Sequence, residues 1–261
     1  MNSNEHKLGL PIEYQQLPEY FDAHNTNEQT EAKNALIERL LKEQKVKTVL
    51  DMACGTGSQV FYLNERGYEV IGNDFSPALL DIARGKAKDK NRTITFIDGD
   101  MRSVKVGKFD AIITIFSAIG HLSKADFEIT LKNIRANLKD EGIYIFDIFN
   151  LQAITDEIID DFVMDIESVV NGVNIHNVQH SEIDRENGLL TSHDQVTIFK
   201  DGCEPEIHNN SFSLQIYTAK ELQEILSGNG FEIVSQYDMD GNIFIADKSL
   251  NILTVARKKK A

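Results

Sequence analysis

The spacing of apolar residues changes period repeatedly between residues 46 and 150. Short apolar and β-branched runs of five to eight residues are typical of buried strands. In the segments between them, apolar residues recur every three or four positions, as on the buried face of a helix. The predicted strands cover residues 46–52, 68–73, 94–98, 109–116 and 142–148. Strands that alternate with helices imply right-handed crossovers and a parallel sheet covered on both faces.

The pattern that follows residue 150 is different. Residues 162–217 contain no amphipathic helix but several β-rich runs. Asn187-Gly188 lies between two of these runs and is typical of a two-residue hairpin turn. We therefore expect a small antiparallel sheet at this point of the chain.

The last part of the chain returns to the α/β pattern. Thr218 and Glu221 have the spacing of a capping box at the start of a helix, and two more strands are predicted at 231–237 and 250–256. The predicted fold is α/β. It is a doubly wound, seven-stranded, mainly parallel sheet with helices on both faces, with a small antiparallel β insert after strand five.

These patterns divide the chain into three parts. A helix is predicted at about residues 27–43, with Thr26 or Asn27 as its N-cap. The parts are an N-terminal segment with this helix at 1–45, the α/β domain at 46–150 and 218–261, and the β insert at 151–217. Because the insert differs in kind from its flanks, we expect it to be a lid that selects the substrate.

Charge narrows the classes of partner. The chain of 261 residues has a net charge of −14, and its insert has 13 Asp or Glu residues against Arg185 and Lys200. This acidity argues against nucleic acid, whose phosphates need Lys and Arg. No apolar run is long enough to span a membrane, and the first residues do not resemble a secretory signal. With two cysteines and no CxxC pair, a cytoplasmic protein is expected, as a monomer or a homodimer.

A glycine-rich turn follows the first predicted strand and opens a helix. Gly55 and Gly57 would let the backbone approach a ligand closely at the carboxyl end of the strand. A dinucleotide site is the obvious alternative, but its third glycine position is occupied by Val60. Asp51, in the same turn, would repel a pyrophosphate. It suits a cationic ligand such as S-adenosylmethionine.

Acidic residues also end the second and third predicted strands. Asp74 ends strand two, 17 residues after Gly57, where a carboxylate can accept both ribose hydroxyls. Asp98-Gly99-Asp100-Met101 ends strand three, where a carboxylate can accept the adenine amino group and a methionine can cover the ring. Three such motifs at three successive strand ends favour an adenosine-containing ligand.

The strings DMACGTG, GDMR and IFSAIGHL at residues 51–57, 99–102 and 115–122 resemble class I S-adenosylmethionine-dependent methyltransferases. GDMR with FSAIGHL is similar to the amino-sugar N,N-dimethyltransferases, whereas DIFN at 147–150 resembles a broader group of small-molecule methyltransferases. The resemblance implies S-adenosylmethionine as cofactor and a substrate-facing His121. The cofactor contacts that it implies are Asp51, Ala53, Gly55, Gly57, Asp74, Phe75, Asp100, Met101 and Phe116.

Two residues are candidates for catalysis. His121 could accept or relay a proton from an amine nucleophile, and its alternative role is to cap the turn before the next helix. Tyr14 could close over the cofactor, as could Tyr20, or either could pack in the core. A two-residue turn would place His193 opposite Glu182 and His180 opposite Gln195. The histidines of the insert would then not converge, and no metal is expected.

The function expected from the sequence is methyl transfer to a small molecule, most simply to an amine. The alternatives that stay open are a non-catalytic S-adenosylmethionine-binding regulator and a protein methyltransferase. An NAD-dependent oxidoreductase is disfavoured by the missing third glycine.

Overall fold

Strands of the protein form two sheets in the computed structural model, which describes residues 7–14, 16–25, 28–161 and 163–260. In chain order they are β1 (Thr48–Met52), β2 (Glu69–Asp74), β3 (Thr95–Asp98), β4 (Phe109–Thr114), β5 (Leu138–Phe149), β6 (Met164–Val170), β7 (Val173–Asp184), β8 (Leu189–Phe199), β9 (Glu206–Gln215), β10 (Phe231–Tyr237) and β11 (Asn251–Lys258). The larger sheet has the order β10-β11-β5-β4-β1-β2-β3. Strand β11 is antiparallel to both neighbours and the other pairs are parallel.

Helices cover both faces of the larger sheet. In chain order, the α-helices among the described residues are α1 (Phe21–Asn25), α2 (Glu28–Glu43), α3 (Ser58–Glu65), α4 (Pro77–Asp89), α5 (Lys124–Asn137), α6 (Asp156–Asp160) and α7 (Ala219–Gly228). Side chains of α2, α3 and α4 pack with Val49 on one face, and those of α5 and α7 pack with Leu50 on the other. Consecutive strand residues point to opposite faces, so β1 contributes to two apolar layers. The predicted fold class is confirmed.

Helices α4 and α7 begin with side-chain caps, and the cap of α7 is the predicted one. The Ser76 hydroxyl accepts a hydrogen bond from the amide of Leu79 at the start of α4, with Pro77 following it. Thr218 and Glu221 form the reciprocal capping box of α7. The proposed caps of α2, residues 26 and 27, lie outside the described residues. In the described part of the chain, no helix is long and apolar enough to cross a membrane.

Strands β6 to β9 form the insert sheet, a four-stranded antiparallel sheet in sequence order. Its central hairpin differs from the predicted one, because Asp184 pairs with Leu189 and the loop therefore has four residues, 185–188. The pairing of β7 with β8 therefore differs from the predicted one, and His180 lies opposite His193 with the two ring centroids 5.0 Å apart. The predicted pairing of His193 with Glu182 and of His180 with Gln195 is wrong. Asn187 still contributes to the loop by hydrogen-bonding the Asp184 carboxylate.

The N-terminal segment lies between the insert sheet and the larger domain. Short 3-10 helices at Ile12–Tyr14 and Pro18–Tyr20 precede α1. The amide of Ser213 in β9 donates to the carbonyl of Leu8, and the hydroxyl of Ser76 donates to the carbonyl of Tyr14. Tyr20 packs in an apolar cluster with Ile175 and Val196 of the insert sheet, among others. The segment therefore connects the two sheets above the carboxyl ends of β1 and β2.

Candidate active site

The carboxyl ends of β1, β2, β3 and β4 surround one pocket. The larger sheet reverses its strand order between β1 and β4, and ligands of open α/β sheets bind at such a position. This cofactor pocket is lined by Tyr14, Phe21, Ala53, Cys54, Gly55, Thr56, Ser58, Gln59, Asn73, Asp74, Phe75, Leu79, Gly99, Asp100, Met101, Ile115, Phe116, Ala118, His121 and Leu122.

The turn after β1 brings backbone close to the pocket. Ala53 has φ 78°, a left-handed conformation that is uncommon for a residue with a side chain. The amides of Ala53 and Cys54 donate to the carbonyl of Asn73 at 2.8 and 2.9 Å, which ties the turn to β2. A Cβ atom at Gly55 would lie 3.0 Å from the Phe21 ring, so the N-terminal segment packs directly on this turn. Strain of this kind is typical of ligand-binding turns.

Asp74 lies in the pocket wall at the end of β2. One carboxylate oxygen accepts from the amide of Gly55 at 2.8 Å, and the other accepts from the amide of Ser76 at 2.9 Å. Burial raises the pKa of Asp74 to about 6, although these amide donors act in the opposite direction. The carboxylate thus holds the glycine turn and the start of α4 together at the predicted ribose position.

Asp51 is buried at the end of β1 with 1% of its surface exposed, and it does not line the pocket wall. Its Oδ2 atom has no hydrogen-bond partner among the described residues. Burial raises the pKa of Asp51 to about 8, and the negative charge of Asp74 adds to the shift. A buried carboxylate without a partner favours a cation nearby. The ammonium group of adenosylmethionine meets this requirement.

Asp100 and Met101 follow β3 and line the pocket. They are the residues predicted to contact the adenine ring. The carboxylate of Asp100 already accepts hydrogen bonds from Arg102, with Nε at 2.9 Å from Oδ2. Arg102 also lies 3.5 Å from the Asp126 carboxylate at the start of α5. The arginine of the GDMR string therefore orients the carboxylate, a role that the sequence analysis did not assign.

The turn after β4 is also strained. Phe116 and Ser117 have φ 61° and 56°, and strand β4 accordingly ends at Thr114, two residues before the predicted end. The amide of Ser117 donates to the buried carboxylate of Asp147 in β5 at 3.2 Å. Burial raises the pKa of Asp147 to about 6. This carboxylate holds Phe116 in the pocket wall, a role that no local sequence pattern indicates.

His121 and Tyr14 meet above the pocket. The Tyr14 hydroxyl lies 3.3 Å from Nε2 of His121, and the two ring centroids are 5.3 Å apart. Phe21 and Phe75 pack around Tyr14, with centroid distances of 5.7 and 6.5 Å. Phe212 of the insert sheet lies 6.0 Å from the His121 ring. The helix after this loop is capped by Ser123, so His121 is not needed as its cap.

Of the other predicted site residues, Gly57 is the N-cap of α3 with φ 90° and does not line the pocket. A Cβ atom there would lie 3.0 Å from Phe61, so this glycine serves packing. Phe21 was missed, because an aromatic residue in an irregular segment gives no local signal.

Residues 49–142 match the protein family described as "Methyltransferase domain". The chain carries a class I methyltransferase domain. S-adenosylmethionine is the cofactor, and the methyltransferase has residues that fit it: the partnerless oxygen of buried Asp51, the Asp74 carboxylate, and a pocket wall whose described residues include no Lys or Arg.

Named relatives agree with this assignment. The chain is 35% identical to a glycine/sarcosine N-methyltransferase of Parasynechococcus marenigrum over 125 residues, which are 46% of this chain and 44% of that one. It is 33% identical to the dTDP-3-amino-3,6-dideoxy-alpha-D-glucopyranose N,N-dimethyltransferase of Streptomyces fradiae over 103 residues, 39% of each chain. The sugar N-methyltransferase KedS8 from Streptoalloteichus sp. has the same fold, with a TM-score of 0.78 and 16% identity over 100% of this chain and 97% of that one. The predicted similarity to amino-sugar methyltransferases is thus confirmed.

The methyltransferase has a second cavity of about 340 Å³ beside the cofactor pocket. Its walls come from the N-terminal segment, the ends of β4 and β5, and the insert sheet. It is lined by Pro11, Glu13, Tyr14, Lys33, Phe116, Ser117, His121, Asp147, Phe149, Met164, Asn177, Gln179, Asp194, Phe212, Leu214 and Asn251. Three of these residues, Tyr14, Phe116 and His121, also line the cofactor pocket. The two spaces therefore adjoin at these side chains.

Proposed function

We propose that this enzyme methylates the nitrogen of a small amine. The observation that carries the proposal is the second cavity, which adjoins the cofactor pocket at Tyr14, Phe116 and His121 and is acidic. Its lining includes the carboxyl groups of Glu13, Asp147 and Asp194 against one ammonium group, that of Lys33. Such a cavity attracts a basic acceptor to the position where the two spaces meet.

The side chains at this junction suit amine chemistry. A nitrogen nucleophile must be neutral when it reacts, and His121 is placed to accept its proton. Burial raises the pKa of Tyr14 far above its usual range, so the phenol stays protonated. When its oxygen accepts a hydrogen bond from Nε2–H of His121, Nδ1 is the ring nitrogen that can accept a proton. Tyr14 is then the group that positions the imidazole. When bound, S-adenosylmethionine supplies an electrophilic methyl group on its sulfonium.

Two further observations support a small acceptor. The relatives named above are N-methyltransferases of glycine and sarcosine or of an amino sugar. The net charge of −14 opposes nucleic acid as the acceptor. The insert sheet contributes Met164, Phe212 and Leu214 to the cavity, which supports its role as a lid over the acceptor.

The proposal is tested with acceptors that differ only in the nucleophilic atom. The purified enzyme is incubated with S-adenosylmethionine and n-butylamine, n-butanol, n-butanethiol or putrescine, and the methylated products are detected by mass spectrometry. We expect methylation of amines only. Methylation of the alcohol or the thiol with no reaction of either amine would contradict N-methylation.

A further inference from the structure

The inner face of the insert sheet contains a polar band between two apolar clusters. At one end, Ile175 and Val196 pack against the N-terminal segment. At the other end, Leu190 and Leu214 pack against the segment that follows β5. Between these clusters the inward residues are polar and line the second cavity: Asn177, Gln179 and Asp194. Polar side chains at buried positions are costly unless a partner satisfies them.

Asp194 is the charged member of this band. It lies opposite Gln179 of β7 and Asn210 of β9 in the register of the sheet. Burial raises the pKa of its carboxyl group, although these two side chains act in the opposite direction. Only 7% of its surface is exposed, yet its Oδ1 atom has no hydrogen-bond partner among the described residues. The Oδ1 atom of Asn177, with 6% of that residue exposed, is likewise without a partner there. Two residues that line the cavity thus each have a buried acceptor atom with no hydrogen-bond donor among the described residues.

Glu13 adds a second carboxyl group to the same cavity from the N-terminal segment. Burial raises the pKa of Glu13 to about 7, and the negative charge of Asp194 contributes to this rise. The two carboxyl groups therefore interact electrostatically. Lys33 does not balance this pair, because it acts on Asp147 and lies over the Phe116 ring at 5.0 Å. Among the described residues that line the cavity, no other Lys or Arg is present. The pair therefore favours a cationic ligand.

We propose that Asp194 and Glu13 bind a second protonated nitrogen of the acceptor, distant from the nitrogen that is methylated. This assignment rests on the proposed N-methylation and narrows its substrate class to diamines and related dications. The ammonium group would supply donors to Oδ1 of Asp194 and to the carboxyl group of Glu13. The same balance of charge disfavours an acceptor whose phosphate groups enter this cavity.

The test compares putrescine with n-butylamine, which has the same carbon chain and one amino group. Binding of each to the enzyme with S-adenosylhomocysteine is measured by titration calorimetry, and methylation by kcat/KM. We expect a preference for putrescine of about tenfold or more, because hydrogen bonds between an ammonium group and carboxyl groups are stronger than those between neutral groups. Asp194→Asn and Glu13→Gln should each reduce this preference while n-butylamine is still methylated.

The matched control is Glu182→Gln, on the outward face of the same sheet, which should leave the preference unchanged. Equal use of the two amines by wild type would contradict the distal site and leave N-methylation intact. So would an unchanged preference in both Asp194→Asn and Glu13→Gln, or a loss of preference in Glu182→Gln. Methylation of n-butanol with neither amine reacting would instead contradict the proposed function.

Discussion

Asp51 offers the sharpest test of the electrostatics of the cofactor pocket. Its pKa of about 8 means that the folded protein without cofactor keeps the carboxyl protonated at neutral pH, whereas the unfolded chain ionises it near pH 4. The folded state then binds one more proton than the unfolded state. Stability must therefore fall as pH rises between these two values. Asp51→Asn imitates the protonated carboxyl and cannot ionise, so the variant should escape this loss.

The size of the stability change follows from the difference between the folded and unfolded pKa values of Asp51. One proton difference changes the free energy of unfolding by about 1.4 kcal/mol per pH unit. Between pH 5 and pH 7 the variant should therefore gain up to about 3 kcal/mol relative to wild type. For a protein of about this size, each kcal/mol corresponds to roughly 2–4 °C in Tm. The two proteins should differ by about 0.5 kcal/mol or less at pH 4 and by about 1.5 kcal/mol at pH 5.

The measurement is urea and thermal unfolding of both proteins without cofactor, at several values between pH 5 and pH 8. Asp147 and Glu13 also have raised pKa values, but they are present in both proteins and cancel in the difference. Asp74 interacts with Asp51, and its contribution cancels over the range in which Asp51 stays protonated. Titration with S-adenosylhomocysteine completes the assay. The variant should bind it about tenfold or more weakly, because a charge-assisted hydrogen bond to the ligand ammonium is lost.

Asp110→Asn is a control in which the expected change in stability at neutral pH has the opposite sign. Hydrogen bonds from Lys139 and from the Thr48 and Lys47 amides hold the pKa of Asp110 near 2 despite partial burial. Its stabilising effect is present above the unfolded pKa and is lost as pH falls toward 2, so this substitution should destabilise the protein at neutral pH.

A stability difference between Asp51→Asn and wild type that stays constant from pH 5 to pH 8 would refute the reasoning for Asp51.

Three further outcomes are expected. His121→Asn should lower kcat by about 10²-fold with little change in cofactor affinity, as measured by steady-state kinetics and calorimetry, and a variant with full kcat would exclude proton transfer by this residue. Asp74→Ala should weaken S-adenosylhomocysteine binding by about 1–3 kcal/mol, since it removes the predicted ribose acceptor and the support of the Gly55 amide; unchanged affinity would remove Asp74 from the site. Thr218→Ala should cost about 0.5–2 kcal/mol in urea unfolding through loss of the α7 cap, and a fall in kcat/KM per folded molecule would show that the cap does more than stabilise.

That several of the predicted cofactor residues line one pocket could be foreseen, because their positions depend on local order along the chain. Parallel strands bring their carboxyl ends to one edge, so Asp74 and Asp100 had to lie near the glycine turn once three strands had been recognised. Partners that come from distant segments were not predictable in this way. Asp147 holds the Ser117 amide across 30 residues, and Phe21, at the start of the short helix α1, packs on Gly55. Neither contact leaves a periodic pattern in the sequence.

In the insert, the length of one hairpin loop decides which residues lie next to Asp194. A two-residue turn at Asn187-Gly188 shifts the pairing by two positions, which keeps each side chain on its face but changes its neighbours. The inward direction of Asp194 would survive that shift, whereas its pairing with Gln179 depends on the four-residue loop. The Oδ1 atom of Asp194 has no hydrogen-bond partner among the described residues and is left for a ligand. The hairpin loop thus sets the register on which the proposed acceptor site depends, although the loop itself does not line the cavity.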